Sequence, residues 1–424
     1  MEIQRLFEAL ERSNKWWKGD FELDYKPRKV YEEVKKFMKS KQIISLTGLR
    51  RTGKTTILLK IVKDSIEGYG KENVIYFSFD DFKDVKLSEV IDAYFELMKK
   101  NSSNPLLFLF DEIQKVPGWE EQLKRIYDEN KKFKFVISGS ESLFIRKGAR
   151  ESLAGRMFEF QIKALCFKEF LDFRGKRYDN LILYKKEILS EFRKFLFCNG
   201  FPEIINEDEE FVRKYTKENV VEKIIYRDIP QIVSIENPEI LSQMFNIIAK
   251  EPGQMIQMDK IAKELGVSRQ TASSYLDYLE KSFLIRKLYN FSRNARKTQT
   301  RLKKYYPTIL FPEEVENREI FGKVFETFVV NELNAEFFWR DTYKNEVDIV
   351  LKNKEIIPIE VKVSDIETKT LGLFMNKFKL KKGIILTYDK EDVIGKVEVI
   401  PFYKYFLRKV GELIKNSEIH HEDN

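Results

Sequence analysis

The 424-residue chain is too long for one small domain and too apolar for a disordered one, with 43% hydrophobic residues, 14% aromatic and 35 Phe. No run approaches the roughly 18 apolar residues of a membrane span, and the opening MEIQRLFEALERSNKWW is a charged amphipathic stretch rather than a signal peptide, so a soluble, cytoplasmic protein with no membrane partner is expected. Two Cys (Cys166 and Cys198) and two His exclude a disulfide framework and a Cys/His zinc cluster, leaving carboxylates to hold any metal; 76 Lys and Arg against 68 Asp and Glu, a formal +8, tilt the chain toward anionic partners.

In chain order, five β-rich runs come first, at 42–47, 73–79, 106–110, 133–138 and 158–162. They are separated by helical patterns and predict a parallel sheet with crossover helices over residues 1–165. The first run, IISLT, feeds Gly48-Leu49-Arg50-Arg51-Thr52-Gly53-Lys54-Thr55, a GxxxxGK[ST] loop that opens the helix TTILLKIVKDSI. Gly48, Arg51, Thr52, Gly53, Lys54, Thr55 and Thr56 are the expected ATP-binding residues. Backbone N–H groups wrap phosphates at a helix N-terminus, Lys54 neutralises the β and γ phosphates, and the Thr55 hydroxyl holds Mg²⁺. LLFLF then delivers Asp111 and Glu112 at a strand end, where Asp111 binds the Mg²⁺ through water and Glu112 orients the attacking water.

Residues 166–236 read as a helical appendage, broken at Gly200-Phe201-Pro202, with a boundary near Asn237-Pro238. Over 237–312, Met258 to Leu265 and Ser268 to Glu280 read as two helices joined by Gly266-Val267, followed by the strand-like Phe283 to Leu288, a winged helix-turn-helix outline. Ala272, Tyr275, Leu276 and Leu279 share one face of the second helix, leaving Arg269 and Gln270 outward, within reach of a DNA groove. Lys281 to Lys304 carries nine basic residues (Lys281, Arg286, Lys287, Arg293, Arg296, Lys297, Arg301, Lys303, Lys304) and no acid, interleaved with Tyr289 and Phe291. DNA contact and a solvated loop beside an inter-domain packing module are both open readings.

A second α/β domain is expected over 313–424. Asp348 lies in EVDIVL, and Glu360 and Lys362 lie in IPIEVKV. A three-residue loop at 353–355 pairs residue 352 with 356, and therefore Asp348 with Glu360. A divalent ion, Mg²⁺ or Mn²⁺, would turn the repulsion between these carboxylates into attraction, with Lys362 stabilising charge on a nucleophilic water or phosphate. On the preceding helix Glu326 falls in a sector held by Val329, Val330 and Leu333, where a carboxylate wants a cation or a donor. An exposed hairpin carrying alternating charges is the other reading of Asp348, Glu360 and Lys362.

GLRRTGKTT, FDEIQKVPGWE, VISGSESL, LAGRMFEFQIKALCFKEFL, NGFPEII and FGKVFETFVVNEL, in this order, resemble the blocks of AAA-type ATPases fused to a nuclease-like domain in archaea and bacteria. The resemblance implies an α/β fold: a P-loop AAA-type core with a helical lid, a winged helix-turn-helix, and a C-terminal restriction-endonuclease-like α/β domain of the PD-(D/E)xK type. In the last of these, Glu326, Asp348 and Glu360 hold metal and Lys362 assists. It further implies Ser140 as a polar sensor at the end of the fourth strand. Arg156 becomes an arginine finger, acting in cis or across an oligomer; an ordinary ion-paired Arg is the alternative. Where the family carries an aromatic pair followed by Asp, this chain reads Lys304-Tyr305-Tyr306-Pro307-Thr308. Two functions follow. One is an ATP-regulated, metal-dependent nuclease or DNA-processing ATPase, and the other is a nucleotide-controlled switch whose nuclease-like domain only binds a partner.

Overall fold

The structure, a computed structural model, describes residues 2–82, 84–100, 104–139, 152–300, 302–352 and 354–408. Ser140 and Arg301 lie outside the described residues. Two compact units result: Met1–Ala164 with Tyr226–Ile235, and Leu165–Ile225 with the chain from Glu236 onward.

The first unit is a five-stranded, wholly parallel sheet of β1 (Ile43–Thr47), β2 (Val74–Ser78), β3 (Leu106–Asp111), β4 (Phe133–Ser138) and β5 (Met157–Gln161), in the order β2-β3-β4-β1-β5. Helices α1 (Glu2–Ser13), α2 (Lys29–Phe37), α3 (Lys54–Tyr69), α4 (Leu87–Met98) and α5 (Trp119–Glu129) accompany it. Every residue of β1, β3 and β4 is buried, which is why these strands read as unbroken apolar runs. Alternate side chains feed two cores. Phe77, Phe108, Phe110 and Phe135 pack on one side, and Ile44, Leu46, Leu109 and Val136 pack with Ile57, Leu58 and Ile61 of α3 on the other. Because all the strands run one way, Thr47, Ser78, Asp111 and Ser138 end at the same edge of the sheet, the edge where parallel sheets build sites.

The second unit contains α6 (Phe167–Phe173), α7 (Lys185–Cys198), α8 (Pro238–Lys250), α9 (Met258–Glu264), α10 (Arg269–Lys281), α11 (Phe321–Glu332) and α12 (Lys369–Phe378), with two five-stranded sheets. Helices α9 and α10 flank the Gly266-Val267 turn; Ser268 caps α10 by accepting from Thr271 N, and Ala272, Tyr275, Leu276 and Leu279 are buried, as the periodicity requires.

One sheet combines β6 (Gln254–Met255), β7 (Ile285–Asn290), β8 (Lys303–Pro307), β9 (Phe337–Arg340) and β10 (Glu346–Val347) in the order β10-β9-β7-β8-β6. The other combines β11 (Ile349–Lys352), β12 (Ile356–Lys362), β13 (Gly383–Thr387), β14 (Asp392–Ile394) and β15 (Val397–Pro401) in the order β11-β12-β13-β15-β14. Domains at 166–236, 237–312 and 313–424 were expected; in the structure they share one compact unit, save that 226–235 returns to the first. The shared sheet gives the reason, since β9, from the C-terminal stretch, hydrogen-bonds in parallel to β7.

The run Glu346 to Lys352 changes sheets at Asp348: β10 pairs with β9 before it, and β11 pairs with β12 after it. Lys352 pairs with Ile356 and Ile349 with Ile359, so the register continues to Asp348 opposite Glu360.

At the turn after α7, Gly200 adopts φ +66°, and a Cβ there would lie 2.3 Å from Leu165 O. The Leu165 N–H also donates to Gly200 O at 2.8 Å, so neither strand of this contact can retreat. Gly200→Ala is expected to cost about 2 kcal/mol or more, through a left-handed backbone and a backbone clash together. A denaturant midpoint equal to wild type would refute that reading.

Candidate functional site

In the loop between β1 and α3, Gly48 has φ +141° and a Cβ there would sit 2.0 Å from Ile162 O, so only glycine lets the loop leave the sheet here. Lys54 is buried, and its ammonium donates to Gly48 O and Leu49 O, both at 2.9 Å. Thr52 is buried with its hydroxyl on Leu49 O at 2.9 Å, whereas Thr55 and Thr56 lie on the open face of the first turn of α3.

The Thr55 hydroxyl donates to Asp111 Oδ2 at 2.7 Å. Tyr76 OH donates to the same oxygen at 3.0 Å, Ser138 Oγ donates to Oδ1, and Glu112 N donates to Oδ1 at 3.1 Å. A hydroxyl and a carboxylate thus sit side by side, a donor set that fits Mg²⁺. Glu112 is held in a left-handed conformation, φ 55°, and its Oε2 accepts from Gln114 Nε2 at 2.5 Å. Burial raises its carboxyl above the ordinary range, with Lys54 opposing and Asp111 reinforcing the shift.

Several contributors are invisible in the sequence motifs. Arg28, buried just before α2, donates to Thr52 O at 3.2 Å and to Lys163 O at 2.8 Å, clasping the loop from behind. Arg50 forms an ion pair at 2.9 Å with the buried Asp228, which lies on the segment returning from the second unit's stretch of chain. Burial, then Arg227 and Arg50, lowers the Lys115 ammonium, so three cations share this neighbourhood. Partners separated by 178 residues leave no local pattern, and Ser138 and Tyr76 stand out locally only as polar groups within apolar strands. Arg156 forms a two-pronged pair with Asp128 of α5, 3.1 Å at each contact, which is the ion-paired alternative to a finger.

In the second unit, Glu326 is buried on α11 with both oxygens occupied: Oε1 accepts from Tyr306 OH at 2.6 Å and faces Lys304 Nζ at 3.4 Å, and Oε2 pairs with Lys323 at 3.0 Å. Lys304, only 2% exposed, pairs with Glu346 Oε1 at 2.5 Å, and Arg340 takes the other Glu346 oxygen at 3.1 Å. Asp348 Oδ2 accepts from Val361 N at 2.9 Å. Glu360 Oε2 lies 3.5 Å from Lys362 Nζ, while its buried Oε1 has no hydrogen-bond partner.

Glu326, Asp348 and Glu360 were expected as joint metal ligands. Among the described residues no group of three or more Asp, Glu, His or Cys side chains is arranged to hold a metal, and an ammonium, a phenol and a second lysine fill the Glu326 side. Glu326 is thus satisfied by donors of its own, whereas the buried Glu360 Oε1 opposite Asp348 is left without one. The basic tract is also more occupied than either reading of it expected. Besides Lys304, Lys281 pairs with Asp277, Lys287 with Glu280, Arg286 bonds Asn331 and Asn334, and Arg293 donates to Phe378 O.

Residues 40–171 match the model of an AAA domain family, and 189–308 and 321–405 match two domains of unknown function, DUF8612 and DUF4143. The first unit therefore contains an AAA-type, P-loop ATPase domain. The chain is 29% identical to an uncharacterized protein of Methanocaldococcus jannaschii, MJ1544, over 92% of this chain and 93% of that one. Among solved structures, Cdc6p of Pyrobaculum aerophilum aligns at 10% identity and a TM-score of 0.29, covering 72% of this chain and 96% of that one. A RuvB variant of Thermotoga maritima aligns at 15% and 0.28, covering 68% and 90%. Superpositions this loose carry no argument. Among the described residues no helix is long and apolar enough to cross a membrane.

Burial first, with the opposing pull of Lys362 and the push of Asp348, raises Glu360 to about 7, and burial and Glu326 raise Asp348 to about 6. Carboxyls raised in the folded state bind more protons there than in the unfolded chain, so their contribution is full below the unfolded value and is lost as pH rises through the folded one. The wild type should lose stability between about pH 5 and 7.5, with about 2–3 kcal/mol as the upper bound for Glu360, and Glu360→Gln should flatten that slope. Denaturant midpoints across this range test it; parallel curves for the two proteins would refute it.

Proposed function

We propose that this protein is an ATP-hydrolysing, nucleotide-controlled switch whose C-terminal unit binds a partner rather than cutting nucleic acid. The observation that carries the reading is the Thr55–Asp111 contact beside Lys54 and Glu112, within an AAA domain. Lys54 now satisfies its ammonium on two carbonyls of its own loop, and phosphate oxygens would replace them, opening the loop as nucleotide enters. Mg²⁺, when bound, supplies charge neutralisation on the β and γ phosphates. Glu112 is set by its left-handed backbone at the strand end and orients the attacking water, while Lys54 favours its charged form.

The switch reading gains support from Arg50. Its loop holds the phosphates, while its guanidinium holds Asp228 on a segment flanked in sequence by the second unit. A loop that changes shape with nucleotide therefore pulls on the chain that links the units. Lys54→Ala should abolish nucleotide binding and turnover together, and Glu112→Gln should keep binding while turnover falls by about 10²-fold or more. Phosphate release and fluorescent-nucleotide titration separate the two effects. Wild-type turnover in either variant would overturn the site.

DNA contact is the second reading, favoured by the exposed Arg269, Gln270 and Ser273 on α10. It assigns contact to α10 rather than to Lys281–Lys304. Arg269→Ala should lower the slope of log K against log salt on duplex DNA by about 0.9, one phosphate contact. A salt slope that is unmoved, or no duplex binding at low salt, would remove DNA from the proposal.

A further inference from the structure

Directly after Asp111 and Glu112 the chain makes one tight turn, Ile113–Lys115, and its side chains part company. Ile113 and Val116 are buried in the core that also takes Trp119. The turn is closed by the Lys115 N–H on Glu112 O at 3.1 Å and by the Val116 N–H on Ile113 O at 3.0 Å, so its backbone is fixed. Lys115 sends its ammonium away to Asp80. Gln114 turns back instead, and its Nε2 donates to Glu112 Oε2 at 2.5 Å. An ionised carboxylate only accepts, so the amide nitrogen is the atom that faces it.

Glu112 has need of such a contact. Its backbone lies in the left-handed region at the end of β3, φ 55°, and three side-chain torsions separate that backbone from the carboxylate oxygens. The neighbouring Asp111 is held by Thr55, Tyr76, Ser138 and the Glu112 N–H. For Glu112, among the described residues, the side chain that donates a hydrogen bond is Gln114. Lys54 and Arg50 act on the same carboxylate through charge, while their own hydrogen bonds go to Gly48 O and Leu49 O and to Asp228. Charge attracts from any direction, whereas a hydrogen bond fixes orientation. With Oε2 held by the amide, Oε1 is the oxygen left to take a water.

We propose that Gln114 is a positioning residue of the ATPase site, holding Glu112 Oε2 so that Oε1 meets the water that attacks the γ-phosphate. The proposal rests on the role given to Glu112 above. A general base works within hydrogen-bond reach of its water, about 2.6–3.2 Å, so a carboxylate that swings loses most of its effect while still present. An amide suits the task because it is neutral: it orients the carboxylate without adding a cation that would compete for the phosphates. Nucleotide entry draws Lys54 from its loop carbonyls to the phosphates, whereas the Gln114 contact closes within one turn of chain and stays with Glu112 throughout.

The test measures turnover and fluorescent-nucleotide affinity in the intact protein for Gln114→Met, Glu112→Gln and the two changes together. Methionine keeps the length of the side chain and removes the donor. Gln114→Met should lower kcat by about 10-fold while nucleotide affinity stays within about a factor of two of wild type, because the contact serves the water and not the phosphates. Added to Glu112→Gln it should lower kcat no further, since a residue that acts through Glu112 then has nothing to position. An unchanged kcat in Gln114→Met, a loss of nucleotide affinity, or a second full loss on top of Glu112→Gln would overturn the proposal. Gln114→Glu, which has the same shape but sets an acceptor where the donor was, should cost at least as much kcat as Gln114→Met and carries the test if the methionine variant fails to fold; full turnover in it would equally overturn the proposal. Wild-type turnover in Glu112→Gln would remove the role of Glu112 and this proposal with it, whereas the other outcomes strike the proposal and leave that role standing.

Discussion

A carboxylate taken out of water costs several kcal/mol unless donors or a cation replace its hydration, and Asp111 meets that demand with four donors at once. It is 3% exposed at the end of β3, and the groups that satisfy it come from α3, from β2, from β4 and from the next backbone N–H. Only a parallel sheet brings those strand ends to one edge. The order β2-β3-β4-β1 puts Tyr76 and Ser138 on the strands either side of Asp111, with the phosphate loop one strand further on. The nucleotide site is therefore a property of the sheet before it is a property of the loop, and the unbroken apolar strands that bury both faces are what keep these polar groups in register.

Much of this was legible because it is local. The glycine-rich loop, its strand and its helix are contiguous, so one stretch of sequence specifies phosphate wrapping, the lysine and the threonine. The Asp348–Glu360 register was equally legible, since a hairpin with a three-residue connection has one arithmetic solution, and β11 and β12 pair as that arithmetic requires. Lys304 was not legible. In sequence it is one more cation in a run of nine, and its partners lie 22 and 42 residues further along the chain, on a helix and on a strand of another hairpin. Charge runs look solvated until tertiary structure turns one member inward, as happens to Lys304 beside Tyr306. Arg28 and the Arg50–Asp228 pair escaped for the same reason, as contacts closed over long stretches of chain.

The two units meet the same constraint by different chemistry, and the difference has functional content. Around Asp111 most of the donors are hydroxyls, which can accept as well as donate and which turn at little cost, so the Thr55 hydroxyl can exchange the carboxylate for an ion and return. A site of that kind is built for a ligand that comes and goes. Around Glu326 and Glu346 the principal donor is an ammonium from an interior strand, which cannot accept and whose charged form the neighbouring acids favour. Arg50, in the glycine-rich loop, holds Asp228 on a segment flanked in sequence by the second unit, so a change in the loop's shape would be felt by that segment.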